Sequence, residues 1–134
     1  MIITNDNRTY SVWTDGSCYP NPGPMGAGIF IECPDKTVIT KSLTLGHGTN
    51  NIAEFLAVIA AIKMLNRIGG VNDVRFFADS NLVVSTMMKG WKLRQPKLII
   101  LADMIRTELK AFRRYSFKWI PREENERADA LSRS

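Results

Sequence analysis

Four acids stand out by their setting: Asp15 in "TDGSCYPNPGPMGAG", Glu54 in "NNIAEFLAV", Asp79 in "FFADSN" and Asp129 in "ERADALS". A carboxylate can carry a proton or offer oxygen to a hard cation. Little other reactive chemistry is available. One histidine, His47, excludes a multi-histidine metal site, and two cysteines, Cys18 and Cys33, suggest neither a zinc site nor a disulfide scaffold. Each acid also has an ordinary structural reading. Asp15 precedes Gly16, and Asp-Gly is a common turn. Glu54 stands three residues after Asn51, the arrangement of a helix capping box. Asp79 precedes Ser80-Asn81, where an N-cap aspartate is ordinary. Asp129 sits in a polar helix whose acids can simply be solvated. Singly none is persuasive; the set is the unusual feature.

The elements that must position these acids follow from periodicity. "TYSVWTD" alternates and is β-rich, which predicts a strand ending near Asp15. "GAGIFIEC" and "TVITKSLTL" predict two more, joined as a hairpin at Pro34-Asp35. "NNIAEFLAVIAAIKMLNRI" is apolar on more than one face and predicts a long, buried helix ending at Gly69-Gly70. "DVRFFAD" is a fourth strand and "SNLVVSTMMKG" a short helix capped by Ser80. "KGWKLRQPK" reads as irregular. "KLIILADMIRTELKAF" is helical, with Pro96 at its start, "YSFKWI" is a fifth strand and "REENERADALS" a closing amphipathic helix. The order βββαβααβα predicts an α/β fold, a five-stranded mixed sheet flanked by helices, within one domain over residues 1–134. Sites in such sheets form at the carboxyl ends of strands, near the point where strand order reverses. That rule selects Asp15 and Asp79.

Composition narrows the function classes. The net charge is +5, and its placement is uneven. Residues 1–84 hold 6 Lys+Arg against 7 Asp+Glu, whereas residues 85–134 hold 12 against 6. The excess is either a solvated basic surface or the footprint of a polyanion. "MIITND" lacks the basic and apolar regions of a secretory signal, and the run "FLAVIAAI" is too short to span a bilayer. A reducing, cytoplasmic setting is the expectation, with no membrane association.

The stretches "TDGSCYPNPGPMGAGI", "GTNNIAEFLAVIAAI", "FFADSNLVV" and "ENERADALS" resemble the four motifs of the type 1 ribonuclease H family, in the family's order and over nearly the whole chain. The short archaeal-like and phage-like members are the most similar in layout. The resemblance implies a ribonuclease H-like fold and a metal-dependent endoribonuclease. It would hydrolyse the RNA strand of RNA–DNA hybrids, leaving 3′-hydroxyl and 5′-phosphate ends. It places the catalytic and metal-holding carboxylates on Asp15, Glu54, Asp79 and Asp129. Asp15 would bridge two Mg²⁺ ions, with Mn²⁺ as substitute. Glu54 and Asp79 would hold the ion on the side of the attacking water, and Asp129 the ion on the leaving-group side. A pair of ions about 3.5–4 Å apart suits hydrolysis of a phosphodiester. A non-catalytic hybrid-binding module, and another nuclease or integrase on the same general fold, are the alternatives.

The resemblance also assigns substrate contacts. Asn21, Asn50 and Asn81 match positions near the minor groove, where an amide suits a 2′-hydroxyl that both donates and accepts. Cys18 would touch a sugar or fill a turn, Asn51 would touch nucleic acid or cap its helix, and Thr49 would help to hold a DNA-strand phosphate. Lys89, Lys92, Arg94 and Lys97 surround Trp91 and suit phosphate contacts, with Trp91 either against a sugar or buried as a loop anchor. Many members carry a longer basic protrusion here and a mobile histidine before the last aspartate, and some an arginine on the second strand. This chain has none of these, which leaves Glu123 or Glu124 for a turnover role and His47 as a loop residue. Gly16 would let the chain turn away behind Asp15, and prolines would stiffen the loop around Asn21. No obligate protein partner is implied, and a monomer is expected.

Overall fold

The computed structural model of the chain describes residues 8–134, so the reading of "MIITND" lies outside the described residues. Strands β1 (Thr9–Cys18), β2 (Gly23–Glu32) and β3 (Val38–Gly48) precede helix α1 (Asn50–Ile68). Strand β4 (Asp73–Ala78), helices α2 (Asn81–Lys89) and α3 (Pro96–Leu109), strand β5 (Arg114–Trp119) and helix α4 (Glu126–Ser132) follow. The sheet order is β3-β2-β1-β4-β5. β1 and β2 pair antiparallel, as do β2 and β3, while β1, β4 and β5 are parallel. The mixed five-stranded sheet and the order βββαβααβα are those expected.

Local chemistry sets most boundaries. The Thr49 hydroxyl accepts from the Ile52 N–H at 3.2 Å and so caps α1, and Ser80 does the same for α2 through the Val83 N–H. Gly69 and Gly90 end these helices at positive φ. In the β2–β3 turn, Asp35 Oδ1 accepts from the Thr37 N–H at 2.9 Å. α1 buries residues around most of its circumference, Phe55, Val58, Ile62 and Leu65 among them, because the sheet lies on one side of it and α3 on another.

Several expectations fail in instructive ways. β1 does not end near Asp15. It continues to Cys18, because the ladder with β2 runs on through Asp15↔Gly28, Gly16↔Ala27, Ser17↔Gly26 and Cys18↔Met25. Only the parallel ladder stops, at Thr14↔Ala78, so Asp15 is the first residue of β1 with no partner in β4. β2 accordingly starts at Gly23 rather than Gly26, and His47 lies in β3 opposite Pro24 rather than in a loop. The basic stretch is mostly helical at its ends, since Lys89 closes α2 and Lys97 lies in α3. "REENERADALS" divides into a 3₁₀ turn, Arg122–Glu124, and α4, with Asn125 buried between them.

Three glycines seat helices on the sheet. A Cβ on Gly16 would collide with the backbone of Ala53 and Glu54 in α1, and Cβ atoms on Gly26 and Gly28 would collide with the backbone of α4. Gly16 therefore permits close approach rather than a turn. Gly16→Ala should destabilise the protein by about 3 kcal/mol or more, since the obstruction is backbone and cannot rotate away. Urea unfolding would check this; a loss under about 1 kcal/mol would show that α1 can move outward at little cost.

Candidate active site

At the carboxyl end of the parallel strands, carboxylate oxygens of Asp15, Glu54 and Asp79 all lie within 4.8 Å of one another. Asp15 comes from β1, Asp79 follows β4, and Glu54 arrives from α1 on the other side. Each alternative structural role is absent. Ser80, not Asp79, caps α2, and Thr49, not Asn51, caps α1. Glu54 is beyond the first turn of α1, and its Oε1 accepts from the Gly16 N–H at 2.8 Å. That bond requires the close approach that Gly16 allows.

Asp129 completes one wall of the same cleft of about 770 Å³, which Asp15 and Asp79 also line. Gly26 and Gly28 bring α4 against β2, which carries Asp129 toward Asp15. The Ser132 hydroxyl donates to Asp15 Oδ2 at 2.8 Å, and Ser17 donates to the Ser132 carbonyl at 2.7 Å. Asn125 Nδ2 donates to the Thr14 carbonyl at 2.9 Å, tying the start of α4 to the strand just before Asp15. Asn125 is buried, so this bond is one whose loss would cost about 1–3 kcal/mol.

Crowding governs the electrostatics. Burial and the charge of Asp79 push the Asp15 carboxyl up to about 8, against which the Ser132 hydrogen bond works. Glu54 is raised well above the ordinary carboxylate range, first by burial and then by Asp15. Asp79 is raised by burial, while Asp15, Arg122 and Asn125 stabilise its charge. Asp129 instead has cationic partners: Arg133 Nη2 at 2.7 Å and Arg122 Nη2 at 3.5 Å. Arg122, Ser132 and Arg133 all line the cleft and were not anticipated. A partial signal existed, because Ser132 and Arg133 follow Asp129 at helical spacings of three and four residues.

The other expected contacts are dispersed. Cys18 and Asn50 line the cleft, and Asn21 Oδ1 accepts from the Asn50 N–H at 3.1 Å at its edge. Cys18 is in β1 rather than a turn, and its buried sulfur faces the carbonyls of Pro20, Gly23 and Gly48, so its side chain is not offered to a sugar. Thr49 uses its hydroxyl as a cap, and Asn51 is exposed on α1. Asn81 begins α2, where its Oδ1 accepts from Ser85. Lys89, Trp91, Lys92 and Arg94 are exposed outside the cleft lining, and Trp91, 44% exposed, is no buried anchor. Glu123 and Glu124 border a different hollow with Trp13, Phe30 and Asn125, outside the lining of the acidic cleft.

A set of one buried and two half-buried carboxylates that cannot all ionise without a counter-charge fits a hard divalent cation. Known proteins share both motif and shape. Residues 13–134 match the family model described as Reverse transcriptase-like. The chain is 32% identical over 140 residues to a ribonuclease H of Roseobacter denitrificans, covering 91% of each protein. It is 35% identical over 120 residues to a bifunctional protein of Mycobacterium tuberculosis. That match covers 88% of this chain but 33% of the relative, so the chain spans about a third of the length of the first curated relatives it matches. It superposes on the crystal structure of LC11-RNase H1 in complex with an RNA/DNA hybrid with a TM-score of 0.86 at 32% identity, covering 92% of this chain and 94% of that one. The chain belongs to the ribonuclease H family, with type 1 members as its structural neighbours.

Proposed function

We propose that this protein is a metal-dependent endoribonuclease that hydrolyses the RNA strand of RNA–DNA hybrids, leaving 3′-hydroxyl and 5′-phosphate ends. The observation that carries the reading is the convergence of Asp15, Glu54 and Asp79 within 4.8 Å, with Asp129 in the same cleft. Asp15, Glu54, Asp79 and Asp129 would hold two Mg²⁺ ions, or Mn²⁺ in their place, which would supply activation of water and stabilisation of the leaving oxygen. Asp15, whose carboxyl interacts with both Asp79 and Asp129, would hold metal at the centre of the set. Glu54 and Asp79 would serve the side of the attacking water and Asp129 the leaving side. The Gly16 N–H and the Ser132 hydroxyl fix the orientation of Glu54 and Asp15 before any substrate arrives.

Selection of RNA falls to neutral polar groups at the rim. Asn50 and Asn21 are joined there by a hydrogen bond and would offer their amides to a 2′-hydroxyl. Cys18 can contribute only its backbone. The exposed bases Lys89, Lys92 and Arg94, with Trp91, would meet the hybrid's backbone farther out, giving affinity without sequence preference. Residues 1–134 would act as one domain, as a monomer in the cytoplasm. Among the described residues no helix is long and apolar enough to cross a membrane.

A single gel separates the hydrolase from its alternatives. Hybrid, duplex DNA and duplex RNA are each incubated with the chain and Mg²⁺ or Mn²⁺, with a chelator control. Cleavage of the RNA in the hybrid alone, lost with chelator, is the expected result. Cutting of duplex DNA would point to another nuclease, and binding without cutting to a non-catalytic module.

A further inference from the structure

The parallel arrangement of β1, β4 and β5 puts Asp15 and Asp79 at one end of the sheet and brings a different set of residues together at the other. Arg8, Asn72 and Arg113 immediately precede β1, β4 and β5, and Asp73 and Arg114 are the first residues of β4 and β5. These residues wall a cleft of about 260 Å³ that Tyr10, Pro34 and Gly70 complete. Six residues of β1 separate it from Asp15, about 20 Å at the rise of a strand.

The lining has a built part and an unsatisfied part. Arg114 is anchored: its Nη2 lies 2.9 Å from Asp73 Oδ2, and its backbone N–H donates to the Asn72 carbonyl at 3.0 Å. Its side chain is nevertheless 62% exposed. Arg8 and Arg113 have no carboxylate in ion-pair range among the described residues, though both face the same hollow. Three guanidiniums thus share the cleft with one lining carboxylate, Asp73, and with Asp35 near Tyr10. Tyr10 keeps its phenolic proton, since burial first and then Cys33 and Asp35 disfavour the charged form. The hydroxyl is therefore a donor. Forked guanidiniums, a phenol and an amide make a donor set matched to phosphate oxygens. The volume is that of roughly eight or nine waters, room for one phosphate and its attached sugar.

We propose that this cleft binds a phosphate group of a nucleic-acid strand that lies outside the catalytic groove. Such a strand would be a single-stranded flank of the hybrid, since the cleft lies at the opposite end of the sheet from the acids, about 20 Å away at the rise of a strand. The site also explains why the basic excess is not confined to residues 89–97: Arg113 and Arg114 carry part of it here.

The test uses the metal-free chain, so that nothing is cut, and follows backbone amide resonances. Inorganic phosphate, adenosine 5′-monophosphate and a twelve-nucleotide single strand are titrated separately. Saturable shifts at Tyr10, Asn72 and Arg114 with the strand are expected, at least tenfold tighter than with the mononucleotide. The double variant Arg8→Ala/Arg113→Ala should weaken the strand at least tenfold and reduce the salt dependence of its binding by about two charges. The charge-preserving pair Arg8→Lys/Arg113→Lys should keep most of that dependence, which separates loss of charge from loss of fold. Cleavage of a short hybrid without flanks should be unchanged in both variants. Shifts with the small phosphates but not the strand would overturn the strand assignment, and no shift with any probe would overturn the site.

Discussion

Asp15→Asn will reduce cleavage of the hybrid by about a thousandfold or more while leaving hybrid binding largely intact. The size follows from the position of this carboxyl. It lies between Asp79, Glu54 and Asp129, and no neighbouring oxygen can take its place, because Ser132 already occupies one side of it. An amide keeps the shape and the hydrogen bond from Ser132 but loses the charge and one cation-binding oxygen. Several kcal/mol of transition-state stabilisation depend on such a ligand, and each 1.36 kcal/mol is tenfold in rate. Binding should survive because a polyanion loses nothing when an anionic group is removed from the cleft it enters. Single-turnover cleavage with Mg²⁺, paired with hybrid binding by anisotropy in chelator, measures both halves. Retention of a tenth of the wild-type rate in a clean preparation would remove Asp15 from the site.

The acids were legible in the sequence for a reason that does not apply to their support. Each carries an ordinary structural alternative, and only the coincidence of four raised them above it. The helix caps then proved to be handled by other residues, Thr49 and Ser80. The strand boundary was misjudged because "DGSCYPNPGPMGAG" is dense in residues that usually break a strand. Its glycines are there for another purpose. Gly16 admits α1, and Gly26 and Gly28 admit α4, contacts between segments far apart in the chain that no local pattern reports. The same limit hid Ser132, Arg122 and Asn125, whose partners Asp15, Asp129 and Thr14 are brought near only by the fold. Long, strongly patterned elements such as α1 were readable to the residue. The precise environment of each carboxylate was not.

Without metal, the same carboxylate should be a liability to stability, and the effect should depend on pH. An acid whose pKa is higher folded than unfolded binds its proton more tightly in the native state. Its contribution is harmless below the ordinary carboxylate value of 3.8 and becomes progressively destabilising as pH rises toward the folded value of about 8. Removing the titration with Asp15→Asn should therefore leave the Tm of the metal-free protein nearly unchanged only below about pH 3.8. The variant should exceed the wild type increasingly up to pH 8, by on the order of 2–4 kcal/mol there, since one pKa unit corresponds to about 1.4 kcal/mol and Asp79 and Glu54 share the burden. For a domain of this size that is a Tm difference of roughly 6–15 °C. Divalent metal reverses the order: at about a hundred times its Kd it stabilises the wild type by about 2.7 kcal/mol, and the variant, lacking the ligand, should respond much less. Thermal scans of both proteins at four pH values, with and without Mg²⁺, separate the two effects. A Tm difference that stays flat across pH would mean that Asp15 is not held protonated by its neighbours. Stabilisation of the variant by metal equal to that of the wild type would mean that the ion is bound elsewhere. The expected pattern, a destabilised cluster relieved either by mutation or by cation, is what four acids held close by Gly16, Gly28 and Asn125 require.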